Sequence, residues 1–168
     1  AVKPQMMLDA IAPFSKINNE NVVFLSIAAG LSSHWLQEHL NGTKQIVRAM
    51  PNTPASVGAG ITAIYADVEI PKQKTEYCVD LLKAVGEVIM LPNEEMMDAV
   101  TALSGSGPAY VFLMAEAMQL AGKKLGIPEE LSRKLARETV FGSGMLLTQD
   151  PSDSSTLREN VTSKGGTT

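Results

Sequence analysis

The residues best suited to bind a ligand lie in loops rich in glycine and hydroxyl side chains. Residues 162–168 read Thr-Ser-Lys-Gly-Gly-Thr-Thr, and such a density of backbone N–H groups and hydroxyls can fold into a nest that captures a carboxylate. Residues 104–107 read Ser-Gly-Ser-Gly ahead of a helix start at Pro108, where an anion or an amide oxygen can bind. The competing interpretations are a solvated terminus and a helix–helix turn.

Side chains that usually perform catalysis are sparse. The two histidines, His34 and His39, are five residues apart, which is not the i, i+4 spacing of a helical metal pair, and we expect them on a surface helix. Because Cys78 is the single cysteine, no internal disulfide is possible. We expect it to lie on the helix at 71–85 and to serve in packing. No metal site is predicted. An enzyme built from this chain would have to work without a metal, a thiolate or a histidine base.

Composition indicates a globular protein and argues against two classes of partner. Hydrophobic residues make up 45% of the 168 residues and charged residues 19%, with a formal net charge of −4. This balance gives no basic surface for nucleic acid or anionic membranes, and aromatic residues are too few for a base-stacking surface. No apolar run is long enough to span a bilayer and no signal peptide is visible, so we expect a cytoplasmic protein in a reducing compartment.

Strand and helix patterns alternate in the first half of the chain. Strands are predicted at 22–27, 45–49, 60–66 and 86–91, and helices at 32–40 and 71–85. Alternation of this kind predicts an α/β layer with a mostly parallel sheet, in which ligands bind beyond the carboxyl ends of the strands. Three loops qualify as binding segments, at residues 2–4, 28–30 and 50–54.

Only helices are predicted after Leu91, at 94–103, 109–125 and 128–149. We therefore place a domain boundary near Pro92, with residues 1–92 in a sheet domain and residues 93–168 in a helical domain. Residues 109–125 are apolar on nearly every side, so they must be buried on every side. A second subunit, or residues beyond Thr168, would have to cover them.

Five segments resemble the pyrroline-5-carboxylate reductases, and they occur in that family's order: residues 2–4, 26–30, 50–55, 103–110 and 161–168. The resemblance implies an α/β fold, with a partial Rossmann-type, mostly parallel sheet followed by an all-helical dimerisation domain that interleaves with a second subunit. It implies reduction of 1-pyrroline-5-carboxylate to L-proline with NADPH or NADH, as the last step of proline biosynthesis. The protein would then be a homodimer or a higher homo-oligomer.

The resemblance also assigns roles to individual residues. It places Glu94 near the ring nitrogen of the substrate, and makes Glu94 and Thr168 the catalytic candidates. Residues expected to line the cofactor are Val2, Lys3, Pro4, Ala28, Ala29 and Asn160. Residues expected to hold the substrate carboxylate are Ser163, Gly166, Thr167 and Thr168, in a site that the dimer completes.

The sequence departs from the family pattern in two places. The glycine-rich loop that cradles a pyrophosphate, G-x-G-x-x-G or similar, is absent. Both ends look cut, with roughly two strand–helix units missing ahead of residue 1. Lys164 stands where the family commonly has proline, which frees one backbone N–H and one φ angle.

Two alternative functions are open at this point. One is a related NAD(P)-dependent hydroxy-acid dehydrogenase, which would use a helical lysine as acid or base. Lys123 and Lys124 lie late in a helix, however, where stabilisation of the helix dipole is the more natural role. The other alternative is an inactive, truncated piece that only oligomerises.

Overall fold

In the first half of the chain, two strand–helix–strand units form one four-stranded sheet. The computed structural model describes residues 2, 4–17, 21–163 and 165–166. Strands β1 (Phe24–Ser26), β2 (Ile46–Met50), β3 (Gly60–Ala66) and β4 (Gly86–Met90) lie in that order across the sheet. The pairs β1–β2 and β3–β4 are parallel, whereas β2–β3 is antiparallel. The predicted mostly parallel sheet is confirmed.

The antiparallel pair follows from the short connection between β2 and β3. A parallel return needs a crossover of a dozen residues or more, and residues 51–59 are too few. This stretch, predicted as a loop, holds a 3-10 helix at Thr53–Val57. Strand β4 then begins at Gly86, whose φ of 143° suits glycine. A Cβ atom there would collide with the carbonyl of Gly60, its register partner on β3, so this position requires glycine.

Four α-helices accompany the sheet: α1 (Met7–Ile11), α2 (Ser33–His39), α3 (Lys72–Lys83) and α4 (Met96–Val100). Helix α2 begins and ends as predicted. The Ser32 hydroxyl accepts a hydrogen bond from the N–H of Trp35 (3.1 Å), and Asn41 and Gly42 follow the helix with positive φ. Helix α1 lies between 3-10 helices at Pro4–Met6 and Ala12–Lys16 and was not predicted.

Side-chain alternation along β2 divides the core between the two faces of the sheet. Val47 and Ala49 pack on one face with residues of α3, namely Cys78 and Leu82. Ile46 and Met50 point to the other face, where they join two separate clusters. Ile46 packs with α2 through Leu36 and Leu40, and Met50 packs with Ala63, Leu91 and Met97. Arg48 lies between them on the same face and is buried.

The connector predicted at residues 104–108 is wrong in part, because residues 104–105 belong to a π-helical turn and an α-helix begins at Gly107, which leaves only Ser106 between them. Thr101–Gly105 forms a π-helical turn directly after α4, closed by a hydrogen bond from the N–H of Ser106 to the carbonyl of Thr101 (2.8 Å). The hydroxyls of Thr101 and Ser104 donate to carbonyls one turn earlier. The hydroxyls of Thr101 and Ser104 therefore bond within the helix instead of interrupting it.

Residues 109–168 form a compact unit of their own, distinct from residues 1–108. Three helices build it: α5 (Gly107–Lys124), α6 (Glu129–Gln149) and α7 (Ser154–Asn160). Helices α5 and α6 meet closely at Gly122, because the Ser132 hydroxyl donates to the carbonyl of Gln119 (2.7 Å) in the space that a side chain at 122 would occupy. Among the described residues, no helix is long and apolar enough to cross a membrane.

Candidate functional site

Glu94 lies at the centre of a polar cluster that joins three elements of the sheet unit. Its Oε1 accepts hydrogen bonds from the backbone N–H of Ser33 (2.7 Å) and from Nη1 of Arg48 (2.6 Å). The Ser33 hydroxyl donates to its Oε2. Ser33 is the first residue of α2, Arg48 is in the middle of β2, and Glu94 lies between β4 and α4. The cluster therefore ties the starts of two helices to the centre of the sheet.

The surroundings of Glu94 keep its carboxylate ionised. Burial would raise its pKa, but hydrogen bonds from the side chain and backbone of Ser33, together with the hydrogen bond and charge of Arg48, outweigh that effect and hold the pKa below its ordinary value. The side chain of Arg48 is 7% exposed and that of Glu94 is 23% exposed, so this ion pair is largely shielded from water.

Tyr65 lies opposite Arg48 on the neighbouring strand, and its phenol interacts electrostatically with the carboxylate of Glu94. The two residues are partners in the β2–β3 register. Burial raises the pKa of the Tyr65 phenol, and the negative charges of Asp67 and Glu94 raise it further. At neutral pH the cluster therefore contains a cationic guanidinium, an anionic carboxylate and a neutral phenol.

Two of the predicted cofactor residues border one open cavity of about 560 Å³. Val2 and Ala28 both line it. Its other walls are mostly apolar side chains from α1, the 3-10 helix at Ala12–Lys16, β1 and α2, among them Met7, Phe14, Phe24 and Leu36. Such walls suit the flat rings of a dinucleotide rather than its phosphates. Ala28 is buried and Ala29 is exposed. Pro4 opens the 3-10 helix beside them, and Lys3 lies outside the described residues.

The predicted carboxylate loop is only partly described. Asn160 is the last residue of α7 and is exposed, as is Ser163. The N–H of Gly166 donates to the carbonyl of Ser163 (2.9 Å), and a Cβ at Gly166 would collide with the Ser163 hydroxyl. A tight turn thus holds these two residues together. Lys164, Thr167 and Thr168 lie outside the described residues.

Comparison with known proteins identifies the family. Residues 94–168 match the family model described as pyrroline-5-carboxylate reductase dimerisation. The whole chain aligns with the pyrroline-5-carboxylate reductases of Haemophilus influenzae, at 46% identity over 169 residues, and of Synechocystis, at 42%. The chain belongs to the pyrroline-5-carboxylate reductase family. It spans 62% of the length of each of these two reductases.

Solved structures of family members have the same fold. A reductase from Coxiella burnetii superposes with a TM-score of 0.89 at 36% identity, over 99% of this chain and 62% of that one. A Plasmodium falciparum pyrroline carboxylate reductase with NADP bound superposes with a TM-score of 0.85 at 34% identity, over 99% of this chain and 66% of that one. The fold expected from the resemblance, a Rossmann-type sheet followed by a helical dimerisation region, is confirmed.

Three members of the Glu94 cluster, Ser33, Arg48 and Tyr65, were not predicted from the sequence. Arg48 interrupts an otherwise apolar strand, Ile-Val-Arg-Ala-Met, in which all five residues are buried. A charged residue in such a strand needs a buried partner, so its presence alone could have prompted a search for one. Ser33 offered no comparable signal, because serine at a helix start is common. Among the described residues, no group of three or more His, Cys, Asp or Glu side chains could hold a metal ion.

Proposed function

We propose that the protein of this chain reduces 1-pyrroline-5-carboxylate to L-proline with NADPH or NADH, completing proline biosynthesis. The observation that carries the proposal is identity of up to 46% with pyrroline-5-carboxylate reductases over the whole chain. The NADP bound in the Plasmodium falciparum relative supports the choice of cofactor.

When bound, NADPH or NADH would supply the hydride for the imine carbon of the substrate, and the residues of this chain would orient the two reactants. In the proposal, Val2, Lys3, Pro4, Ala28 and Ala29 line the cofactor. Ala28 presents a small side chain and Val2 an apolar one to the cavity that they share, so a flat ring can lie close to the backbone there. Asn160, at the end of α7, is the sixth residue assigned to the cofactor. The phosphates require polar groups that these walls do not provide.

We assign Glu94 to a position near the ring nitrogen of the substrate. A fixed negative charge nearby raises the pKa of the ring nitrogen and so favours the protonated, electrophilic form of the cyclic imine, which lessens the need for a strong acid. Glu94 suits this role because its carboxylate is ionised and held by three donors. Ser163, Gly166, Thr167 and Thr168 are assigned to the substrate carboxylate, and the Thr168 hydroxyl is also a candidate proton relay to the ring nitrogen.

We also propose a division of the chain into two domains, an oligomeric state and a location. Residues 1–92 would form the C-terminal part of the NAD(P)-binding domain, and residues 93–168 the helical domain for dimerisation and substrate binding. The family model over residues 94–168 and the exposed apolar side chains of α5 support a homodimer or higher homo-oligomer. A cytoplasmic location fits the single, buried cysteine, which forms no disulfide within the chain.

The experiment is oxidation of NADPH by the intact gene product on addition of 1-pyrroline-5-carboxylate. We expect turnover, and we expect Gly166→Ala to raise the KM for the imine about tenfold or more, because the added methyl group displaces the Ser163 hydroxyl. The KM for NADPH should change little. Ser155→Ala, an exposed substitution on α7, is the matched control and should leave both values unchanged.

Three results would contradict parts of this proposal. Turnover of a hydroxy acid but not of the imine would replace the substrate. An unchanged KM for the imine in Gly166→Ala would remove the carboxylate loop from the site. An unchanged kcat/KM in Thr168→Val would remove the proton relay.

A further inference from the structure

Arg48 occupies an unusual position, in the middle of a strand whose five residues are all buried. On its face of the sheet, Ile46 on one side belongs to the cluster with α2, and Met50 on the other side belongs to the cluster with Leu91 and Met97. Arg48 thus separates two apolar clusters. Its guanidinium reaches Glu94, which also binds the first residue of α2.

We propose that Arg48 is a positioning residue that, together with Ser33, fixes the orientation and negative charge of the Glu94 carboxylate beside the substrate. The inference rests on the proposed function, because it names a residue that acts on the imine only through Glu94. Arg48 itself need not touch the substrate or the cofactor.

Hydrogen-bond geometry supports this role. An ionised carboxylate has about four lone-pair positions, and Ser33 and Arg48 occupy three of them. Oε1 accepts two of these hydrogen bonds and Oε2 accepts one, so the remaining position is on Oε2. The donors thereby select which oxygen of Glu94 is available to a ligand and the direction from which the ligand can approach.

Charge balance supports it as well. A carboxylate in this partly buried position without a cation would be protonated more readily, and a protonated Glu94 would not stabilise a cationic imine. Among the described residues, the charged and titratable groups that face Glu94 are Arg48 from β2 and Tyr65 from β3, and the neutral Ser33 faces it from α2. Since the phenol of Tyr65 titrates well above neutral pH, Arg48 controls the charge of Glu94 in the working range.

The first test is the pH profile of kcat/KM in the intact gene product. Arg48→Met should lower kcat/KM about 10- to 100-fold and create a new loss of activity as the pH falls through the raised pKa of Glu94. Arg48→Lys keeps the charge and should restore part of the activity and remove most of the acid limb. Lys72→Met, which breaks the exposed pair with Glu76, is the matched control and should leave the profile unchanged.

Arg48→Met with a wild-type profile would overturn the proposal, as would an acid limb that persists when Glu94→Gln is added. The second test is independent of activity. Titration of 13C-labelled glutamate carboxyls by NMR, with Glu94→Gln for assignment, should show a higher pKa for Glu94 in Arg48→Met than in the wild type. An unchanged pKa would refute control by Arg48 even if the imine is reduced, whereas a raised pKa in a protein that does not reduce the imine would refute only the proposed function.

Discussion

At the scale of single residues, the buried pair of Arg48 and Glu94 makes the stability of the fold depend on pH. The pKa of Glu94 is lower in the folded protein than its ordinary value of 4.5, since the hydrogen bonds of Ser33 and Arg48 outweigh the effect of burial. A group with a lowered pKa stabilises the fold above its unfolded-state pKa, and this contribution is lost as the pH falls through the folded-state pKa. The stabilisation is therefore complete at neutral pH and decreases below about pH 4.5.

Replacement of Glu94 measures this contribution. We expect Glu94→Gln to lower the free energy of unfolding by about 2 kcal/mol at pH 7, because the buried Arg48 loses its counter-charge. The difference from wild type should shrink as the pH falls below about 4.5, where Glu94 itself becomes protonated. Urea unfolding at several pH values provides the measurement. Glu76→Gln, in an exposed pair, is the control, and a pH-independent difference for Glu94→Gln would contradict the assignment.

The predictability of the site differed from residue to residue. Glu94 was found through the family resemblance, and the structure places it in a polar cluster. Arg48 and Ser33 were not predicted, because their roles depend on contacts 46 and 61 residues away along the chain. Contacts over such distances arise from the strand register, which local residue patterns do not specify.

At the scale of secondary-structure elements, the bounds of helices and strands were predicted most accurately where residues that end or begin an element stand beside them. Strand β3 was predicted with its observed bounds, and α2 and α6 to within a residue or two, because glycine, asparagine and proline stand at or near their ends. Helices α1 and α7 were not predicted, nor was the end of the π-helical turn at residues 104–105. The two helices have only five and seven residues, and residues 104–105 are serine and glycine, which typically mark a loop.

The close contact between α5 and α6 should make the fold sensitive to substitution of Gly122. Gly122→Ala should improve helix propensity by about 1 kcal/mol, yet the added Cβ collides with the Ser132 hydroxyl. Ser132 is buried and bonded to Gln119, so it has little freedom to move. We expect a net loss of about 1 to 3 kcal/mol in the free energy of unfolding.

Gly142→Ala is the matched control for this substitution. It also lies inside a helix, but no atom lies within 4 Å of its Cβ position, so it should stabilise the fold by roughly 0.5 to 1 kcal/mol. Thermal and urea unfolding of both variants would measure the two effects. A stabilised Gly122→Ala variant would show that the helices do not meet at this point.

At the scale of the whole molecule, the described residues of the helical unit leave many large apolar side chains exposed. Val111, Phe112, Leu113 and Met114 are consecutive, and all four are exposed. Consecutive residues on a helix point about 100° apart, so nearly the whole circumference of α5 is apolar. Large apolar side chains on α6 are exposed as well, including Leu135, Phe141, Leu146 and Leu147. A surface of this kind typically marks an interface.

We therefore expect copies of the protein to associate through α5. We expect a dimer or larger assembly at micromolar concentration by light scattering, in keeping with the dimerisation model that matches residues 94–168. Leu113→Glu should weaken association about 100-fold or more, because a buried, unpaired carboxylate costs several kcal/mol. Val68→Glu places the same charge at a site that is 99% exposed and should have no effect. A monomeric wild-type protein would contradict the prediction, and a Leu113→Glu variant that still assembles would place the interface elsewhere.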